Sequence, residues 1–270
     1  KMVLDGELVL ADFQRSAVWR GKKQKQLSLF KSLYIGIPAG VLYIWEYDSL
    51  KKHPNRPFEG LEDFYFDGKK IKLLVIDGQQ RLTTLASLYA SAIRNDSTYM
   101  EKVVLDLKKN RVTEQPFRFE KDNYKLKTHE LFLQNIVAGA GVADEAARIS
   151  ENHPELAAFV SQASEAFRDR KFAIQFIQKH ASKKDALNIF GTVNQEGMKL
   201  SDIDHIQAIF TSIWSEFHDK IYQLESELQS IKIGEKDGKS IYSDKLTGFK
   251  RDILIKAVMW QLYQTTQRSS

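Results

Sequence analysis

The sequence IKLLVIDGQQRLTTLASLYASA, at residues 71–92, decides how the first half of the chain folds. An apolar run at residues 73–76 stops at Asp77 and Gly78, after which apolar residues recur mostly three or four positions apart. A short apolar run is typical of a buried strand, and the later spacing is typical of a helix. The stretch therefore predicts a strand, a tight turn and a helix.

The predicted turn carries groups that suit an anion. Gly78 lets the backbone turn sharply and approach a ligand closely. The first turn of a helix offers unpaired N–H groups and the positive end of the helix dipole. Arg81 adds a planar guanidinium that matches phosphate oxygens. The turn thus predicts a phosphate site, and specifically a nucleotide site, although Asp77 capping the helix and Arg81 pairing with a buried acid is the alternative interpretation.

Composition excludes several classes of protein. The 270 residues allow one large domain or two small ones, and 43% of them are hydrophobic. The absence of cysteine excludes disulfides and cysteine zinc sites and favours a cytoplasmic location. No apolar run approaches the ~20 residues that cross a bilayer, so we expect no membrane partner. A net charge of +5 and a pI near 9.1 are compatible with a nucleotide or nucleic-acid partner.

The pattern along the chain predicts an α+β fold. Strand-like segments are concentrated in the first half, at 3–10, 41–45, 73–76, 102–107 and 117–120. Helical spacing dominates 128–169, 203–228 and 253–263, with a loop expected at 234–238. We expect a mixed β core with the nucleotide site over residues 1–125. A mainly helical region over 126–270 would complete the site and end in two long helices.

Three sequence motifs follow one another along the chain: ADFQRSAVW at 11–19, IDGQQRLTTL at 76–85 and FGTVNQEGMKLS at 190–201. Together they resemble the N-terminal domain of GmrSD-type, modification-dependent (type IV) restriction enzymes, within the wider ParB/sulfiredoxin-like superfamily. The resemblance runs over residues 3–215. That family usually has a proline before the first aromatic residue of its FQR motif, where this chain has Ala11 and Asp12.

The resemblance implies an NTP-binding and NTP-hydrolysing domain, dependent on Mg²⁺ or another divalent cation. It implies control of an HNH-type DNA nuclease domain, either elsewhere in the full-length protein or on a partner chain. It further implies an antiphage role, with modified phage DNA as the target. The long apolar helices are candidates to contact that nuclease domain or a second copy of the chain in a homodimer.

Four residues of the turn are the candidate catalytic group. Asp77 is expected to bind the divalent metal or to orient the attacking water. Gln79 and Gln80 can donate amide hydrogens to phosphate oxygens or position that water. Arg81 can neutralise charge on the transferring phosphoryl group, an effect that is often the largest catalytic contribution.

Six further residues are candidates to bind the nucleotide: Gln14, Arg15, Gly78, Thr83, Thr84 and Asn194. The two threonines lie early in the predicted helix and add hydroxyl groups. Gln14 and Arg15 come from a separate turn and are expected to close the site from the opposite side. Asn194, with Gly197, would supply a third wall, although asparagine before such a glycine is also a common turn residue.

Two other functions stay open on the sequence alone. One is a DNA-binding, modification-sensing module without hydrolysis, which the basic charge balance favours. The other is a ParB-like nuclease in which the turn itself cleaves DNA. His205, after Asp204, resembles the histidine of an HNH strand, but it falls in the first turn of a predicted helix and no suitably spaced Asn and His follow. No GxxxxGK[ST] phosphate loop is present, so a P-loop enzyme is excluded.

Overall fold

The computed structural model describes residues 1–14, 17, 19, 21–47, 55–65 and 71–196. Beyond these it describes positions 206, 208–211, 214, 217, 220–221, 223–224, 227, 232–236, 239–242, 255 and 257–258. Arg15 and His205 therefore lie outside the described residues, and Asn194 is described only as a position in a helix. The chain forms two compact units, Lys1–Ala11 with Ser16–Ala181 and Asp12–Arg15 with Ser182–Ser270. The boundary predicted between residues 125 and 126 falls within the first unit.

The first unit contains eight of the strands among the described residues. In chain order these are β1 Leu8–Ala11, β2 Val41–Glu46, β3 Asn55–Arg56, β4 Leu73–Asp77, β5 Lys102–Asp106, β6 Phe117–Glu120, β7 Glu130–Phe132 and β8 Ala173–Ile177. Its helices are α1 Lys23–Ile35, α2 Gln79–Arg94, α3 Leu133–Val137, α4 Val142–Ser150 and α5 Ala157–Arg168. Short 3-10 turns lie at Glu62–Phe64 and Pro154–Leu156.

The larger sheet has five strands in the order β3-β1-β4-β2-β8. Strand β4 is at its centre, parallel to β1 and antiparallel to β2, while β8 pairs with β2 in parallel. Leu74, Val75 and Ile76 in β4 are fully buried, as the apolar run predicts. Helix α2 packs against this sheet through Ala86 and Ala90. The predicted strand and helix are therefore confirmed, and the turn between them is supported from both sides.

A second, antiparallel sheet has the order β6-β5-β7. With α1, α3, α4 and α5 it encloses the larger hydrophobic cluster, whose fully buried members include Phe30, Leu105 and Leu131. Strand β7 lies in the 128–169 region that was predicted to be mainly helical. That prediction misses β7 because this strand is only three residues long and exists through its pairing with β5, where Leu105 lies opposite Leu131.

The second unit contains helix α6, Lys183–Glu196, and a hairpin of β9, Lys232–Lys236, and β10, Lys239–Tyr242. The prediction of a loop at 234–238 is thus wrong at positions 234–236, which belong to β9, while positions 237–238 lie outside the described residues. The two residues between these strands are Asp237 and Gly238, a pair typical of tight hairpin turns. Phe217, Ile221 and Ile255 form a buried cluster in this unit.

The predicted α+β fold class is confirmed, with a mixed five-stranded sheet in the N-terminal half and helices towards the C-terminus. Among the residues that the structure describes, no helix has both the length and the apolar character needed to span a bilayer.

Candidate functional site

The turn between β4 and α2 depends on Gly78. This residue has φ 102° and ψ 5°, a left-handed conformation that glycine adopts without strain. A Cβ atom at this position would lie 2.2 Å from Leu42 Cδ2. The positive φ favours glycine here, and any larger residue would also have to displace the Leu42 side chain.

Asp77 and Arg81 face each other one helical turn apart rather than capping the helix. Arg81 Nη2 lies 3.0 Å from Asp77 Oδ2, and α2 starts without a side-chain cap. The same guanidinium donates hydrogen bonds to the carbonyl oxygens of Ala39, at 2.6 Å, and Val41, at 2.8 Å. Arg81 therefore joins the turn to the start of β2. Burial lowers the pKa of Arg81, and the Asp77 carboxylate partly offsets this.

The two glutamines of the motif point to different surroundings. Gln79 is 4% exposed, and its Nε2 finds no hydrogen-bond partner among the described residues. Gln80 accepts a hydrogen bond at Oε1 from the backbone N–H of Trp19, at 2.9 Å. Gln80 also lines a pocket of about 180 Å³. One glutamine is thus packed beside the turn, and the other belongs to a cavity wall.

This cavity, called the α2 pocket below, runs along one face of α2. Its helical wall consists of Gln80, Thr83, Thr84 and Ser87, which recur at the spacing of one helix face. Three of these four residues were predicted as site residues. Thr84 Oγ1 donates to the Gln80 carbonyl oxygen at 2.8 Å, which orients its hydroxyl along the helix.

The other walls of the α2 pocket come from segments that sequence reasoning did not assign to a site. They bring three charged residues, Lys23, Glu59 and Glu101, and three aromatic residues, Trp19, Tyr99 and Phe119. Lys23 Nζ lies 2.7 Å from Glu101 Oε1 and 5.3 Å from the centre of the Phe119 ring. Glu59 Oε2 accepts the backbone N–H of Ala17 at 2.9 Å. The sequence signal that could have indicated these walls is the presence of aromatic residues close to the lysines at 22–25.

Two buried polar groups in the pocket wall lack partners among the described residues. They are the hydroxyl Oγ1 of Thr83, a residue 7% exposed, and the indole Nε1 of Trp19. A buried polar group without a partner costs about 1–3 kcal/mol. Such groups are rare in folded proteins, and sites completed by a ligand are one place where they occur.

The predicted residues Gln14 and Asn194 belong to the second unit. Gln14 is 3% exposed, and the segment around it packs on α6. Asp12 Oδ2 lies 3.0 Å from Lys183 Nζ, and the Phe13 ring lies edge-on to Phe190 with centroids 5.5 Å apart. Burial raises the pKa of Asp12, while Lys183 acts in the opposite direction. The FQR segment and the helix that carries Asn194 are therefore held together.

Two places offer ligand atoms for a metal. Asp77 has one carboxylate oxygen on Arg81, and its Oδ1 accepts no hydrogen bond from the described residues. Asp106, His129 and Glu130 bring ligand atoms within 4.8 Å of one another. Glu130 is already paired there, with Arg118 Nη2 3.0 Å from Oε1 and the Tyr124 hydroxyl donating to Oε2 at 3.0 Å. Asp77 therefore stays the predicted metal ligand, and the group of Asp106, His129 and Glu130 is a second place that could hold a cation.

The sequence model of one family, described as the GmrSD restriction endonuclease, N-terminal domain, matches residues 2–211. The chain belongs to this family. The GmrSD match confirms the resemblance seen in the three motifs. An uncharacterized protein of Methanocaldococcus jannaschii is 34% identical over 98 residues, which are 32% of this chain and 15% of that protein. The matched segment is thus a small part of the relative's length.

Proposed function

We propose that this chain is the NTP-binding and NTP-hydrolysing regulatory domain of a type IV, antiphage restriction system. In this proposal it controls a DNA nuclease domain outside the chain, of the HNH type. The observation that carries the proposal is the α2 pocket, where Gln80, Thr83 and Thr84 of the DGQQRLTT motif meet a lysine and a group of aromatic side chains. Polar motif residues beside aromatic rings suit a ligand with both a charged and a planar part.

The phosphates are proposed to lie at the start of α2. The first-turn N–H groups and the helix dipole favour an anion there. Gln79 and Gln80 are the proposed donors to phosphate oxygens and the proposed groups that orient water. Gln14, Arg15 and Asn194 keep their proposed role as nucleotide-binding residues.

Asp77 is the proposed ligand of a divalent cation. One carboxylate together with substrate phosphates is a usual Mg²⁺ environment, and Asp77 supplies such a carboxylate next to the turn. When bound, the cation neutralises charge on the transferring phosphoryl group. Arg81 is proposed to act on this site by holding Asp77 and the turn in place, since its hydrogen bonds go to Asp77, Ala39 and Val41.

Phosphate release from ATP, GTP, CTP and UTP, with magnesium, tests the proposal. The purified chain should hydrolyse at least one of them, and Gln80→Ala should slow release by about 10²-fold if Gln80 contacts the phosphate or the water. Gln24→Ala, an exposed glutamine on α1, is the matched control. Absence of nucleotide binding by a folded wild-type chain, measured by calorimetry, would overturn the proposal.

DNA binding without hydrolysis is the second candidate, favoured by the net charge of +5. It predicts an affinity for duplex DNA that falls steeply as salt rises, because phosphate contacts release counterions. No affinity at low salt would rule it out. Direct DNA cleavage by the turn has less support, because the DGQQR motif carries a single carboxylate, Asp77, rather than a dense group of acidic residues.

A further inference from the structure

We propose that the α2 pocket receives the base of the nucleotide, and that the Trp19 indole and the Thr83 hydroxyl form hydrogen bonds to the edge of that base. The inference rests on the proposed nucleotide binding. It adds which part of the nucleotide enters the pocket and which two side chains recognise it.

Two polar atoms in the wall of the α2 pocket are buried without a hydrogen-bond partner among the described residues. They are Nε1 of Trp19 and Oγ1 of Thr83, and Thr83 is 7% exposed. An indole N–H can only donate a hydrogen bond, whereas a hydroxyl group both donates and accepts. A ligand that satisfies both atoms must therefore bring at least one acceptor for Trp19, and Thr83 can take either an acceptor or a donor.

The next residue along the helix shows what the Thr83 hydroxyl could do and does not do. Thr84 Oγ1 donates to the carbonyl oxygen of Gln80, one helical turn earlier, at 2.8 Å. The carbonyl of Gln79 has the same position relative to Thr83, but the Thr83 hydroxyl makes no such bond. This hydroxyl therefore stays available to a group that enters the pocket.

The charge of the pocket favours a neutral group over a phosphate. Lys23 is the cationic side chain among the described lining residues, and its Nζ lies 2.7 Å from Glu101 Oε1. A phosphate in the pocket would have to compete with Glu101 for this ammonium group. A base carries ring nitrogen or carbonyl oxygen acceptors without a negative charge, so it can meet Trp19 and Thr83 without that competition.

The size and direction of the pocket also fit a base. Its volume of about 180 Å³ is below the roughly 300–1,000 Å³ of pockets that enclose whole drug-sized ligands. Gln80 lies at the start of α2, where the phosphates are proposed to bind, and Thr83 follows about 4.5 Å further along the helix at 1.5 Å per residue. The phosphates thus stay at the start of α2, and the base lies further along it, beside Thr83.

Aromatic side chains give the pocket surfaces on which a base can stack. Tyr99 and Phe119 lie in its wall together with Trp19. The Tyr99 hydroxyl donates a hydrogen bond to Asp63, which holds the Tyr99 ring in this wall. Stacking on aromatic rings is possible for every base, so it contributes affinity, while the hydrogen bonds of Trp19 and Thr83 recognise the edge of the base.

Calorimetric titration of the chain with ATP, GTP, CTP and UTP, and with ribose 5-triphosphate, which has no base, tests the inference. The wild-type chain should bind its preferred nucleotide at least about tenfold more tightly than ribose 5-triphosphate. Thr83→Val removes the hydroxyl and Trp19→Phe removes the indole N–H. Each should weaken binding of that nucleotide about tenfold and leave the affinity for ribose 5-triphosphate unchanged. Thr113→Val, at an exposed loop threonine, is the matched control.

The stability of the free protein separates recognition of a ligand from a structural role. Because the Thr83 hydroxyl is buried without a partner, valine of nearly the same shape should unfold at the same urea concentration as the wild type or at a higher one. A lower urea midpoint of Thr83→Val, or an equal loss of affinity for the nucleotide and for ribose 5-triphosphate, marks a structural role and overturns the inference.

The outcomes of the titrations also separate the two proposals. If the wild-type chain binds ribose 5-triphosphate as tightly as every nucleotide, the inference about the base fails alone. It also fails alone if both variants bind the nucleotide as the wild type does, because water then satisfies the two buried atoms. If neither kind of triphosphate binds to the folded chain, the proposed function fails and the inference fails with it.

Discussion

At the scale of single residues, the DGQQR motif separates into side chains that build the turn and side chains that face a cavity. Gly78 supplies a left-handed backbone angle, and a side chain at this position would collide with Leu42. Arg81 and Asp77 bind each other and the neighbouring backbone. Gln80 alone among these residues lines the α2 pocket. The five residues of the motif thus lie in different surroundings, and their catalytic roles stay predictions.

Arg81→Ala should lower the free energy of unfolding by roughly 2–4 kcal/mol. Its removal leaves Asp77 and two backbone carbonyl oxygens without a charged donor. Arg81→Lys should recover only part of this loss, because an ammonium group cannot reproduce the planar fork. Urea denaturation measures the effect, and Arg168→Ala, an exposed arginine at the end of α5, should lie near wild type. Lost hydrolysis at unchanged stability would instead make Arg81 catalytic.

At the scale of elements, the β5–β7 pair shows why some of the structure follows from the sequence and some does not. The strand, turn and helix at 73–94 are predictable because each is encoded by nearby residues. Strand β7 is set by its partner, and nothing local in Glu130–Phe132 distinguishes it. The far walls of the α2 pocket likewise come from Lys23, Glu59 and Glu101, which only folding brings beside Gln80. The hairpin in the second unit was predicted as a loop, although the sequence pair Asp237 and Gly238 favours tight turns.

Glu130 on β7 should make stability depend on acid. Burial by itself raises the pKa of Glu130, but the Lys127 N–H, the Tyr124 hydroxyl and Arg118 together lower it below 4.5. A lowered pKa contributes stability that is present above the unfolded value and is lost as pH falls through the folded value. Stability should therefore decline below pH 4.5.

Glu130→Gln should flatten that acid dependence and destabilise the fold at pH 7 by about 3 kcal/mol, because Arg118 loses its buried partner. Thermal unfolding followed between pH 3 and pH 7 measures both effects (pH 3 lies about 1.3 units below the usual Glu pKa). Glu114→Gln, on an exposed loop, is the control. If the stability of Glu130→Gln falls at low pH as much as that of the wild type, other carboxylates cause the acid dependence.

At the scale of the whole molecule, the chain is one family domain distributed over two compact units. The GmrSD match at 2–211 crosses from the first unit into the second. Asp12 and Phe13, which follow β1, belong to the second unit, where they contact Lys183 and Phe190 of α6. Motif residues on both units are therefore parts of one inherited domain, and the proposed regulation of a nuclease is a property of the complete protein.

In the complete protein, Gln80→Ala should abolish restriction that depends on NTP. The reason is the proposed coupling, in which hydrolysis in this domain licenses cleavage in the nuclease domain. The measurement is DNA cleavage with and without NTP and magnesium, with Gln24→Ala as the control. If Gln80→Ala cleaves DNA at the wild-type rate in the presence of NTP, DNA cleavage does not depend on NTP hydrolysis, which contradicts the proposed coupling.

The position of Trp19 in the wall of the α2 pocket has a consequence for the fluorescence of the chain. The chain has four tryptophans: Trp19, Trp45, Trp214 and Trp260. Trp45 is 1% exposed in the core, so its fluorescence should be steady, whereas the Trp19 indole forms part of the α2 pocket wall. A base that enters beside that indole should quench its emission. Titration of the unlabelled chain would then follow occupancy directly, and Trp19→Phe should remove the signal that the ligand changes.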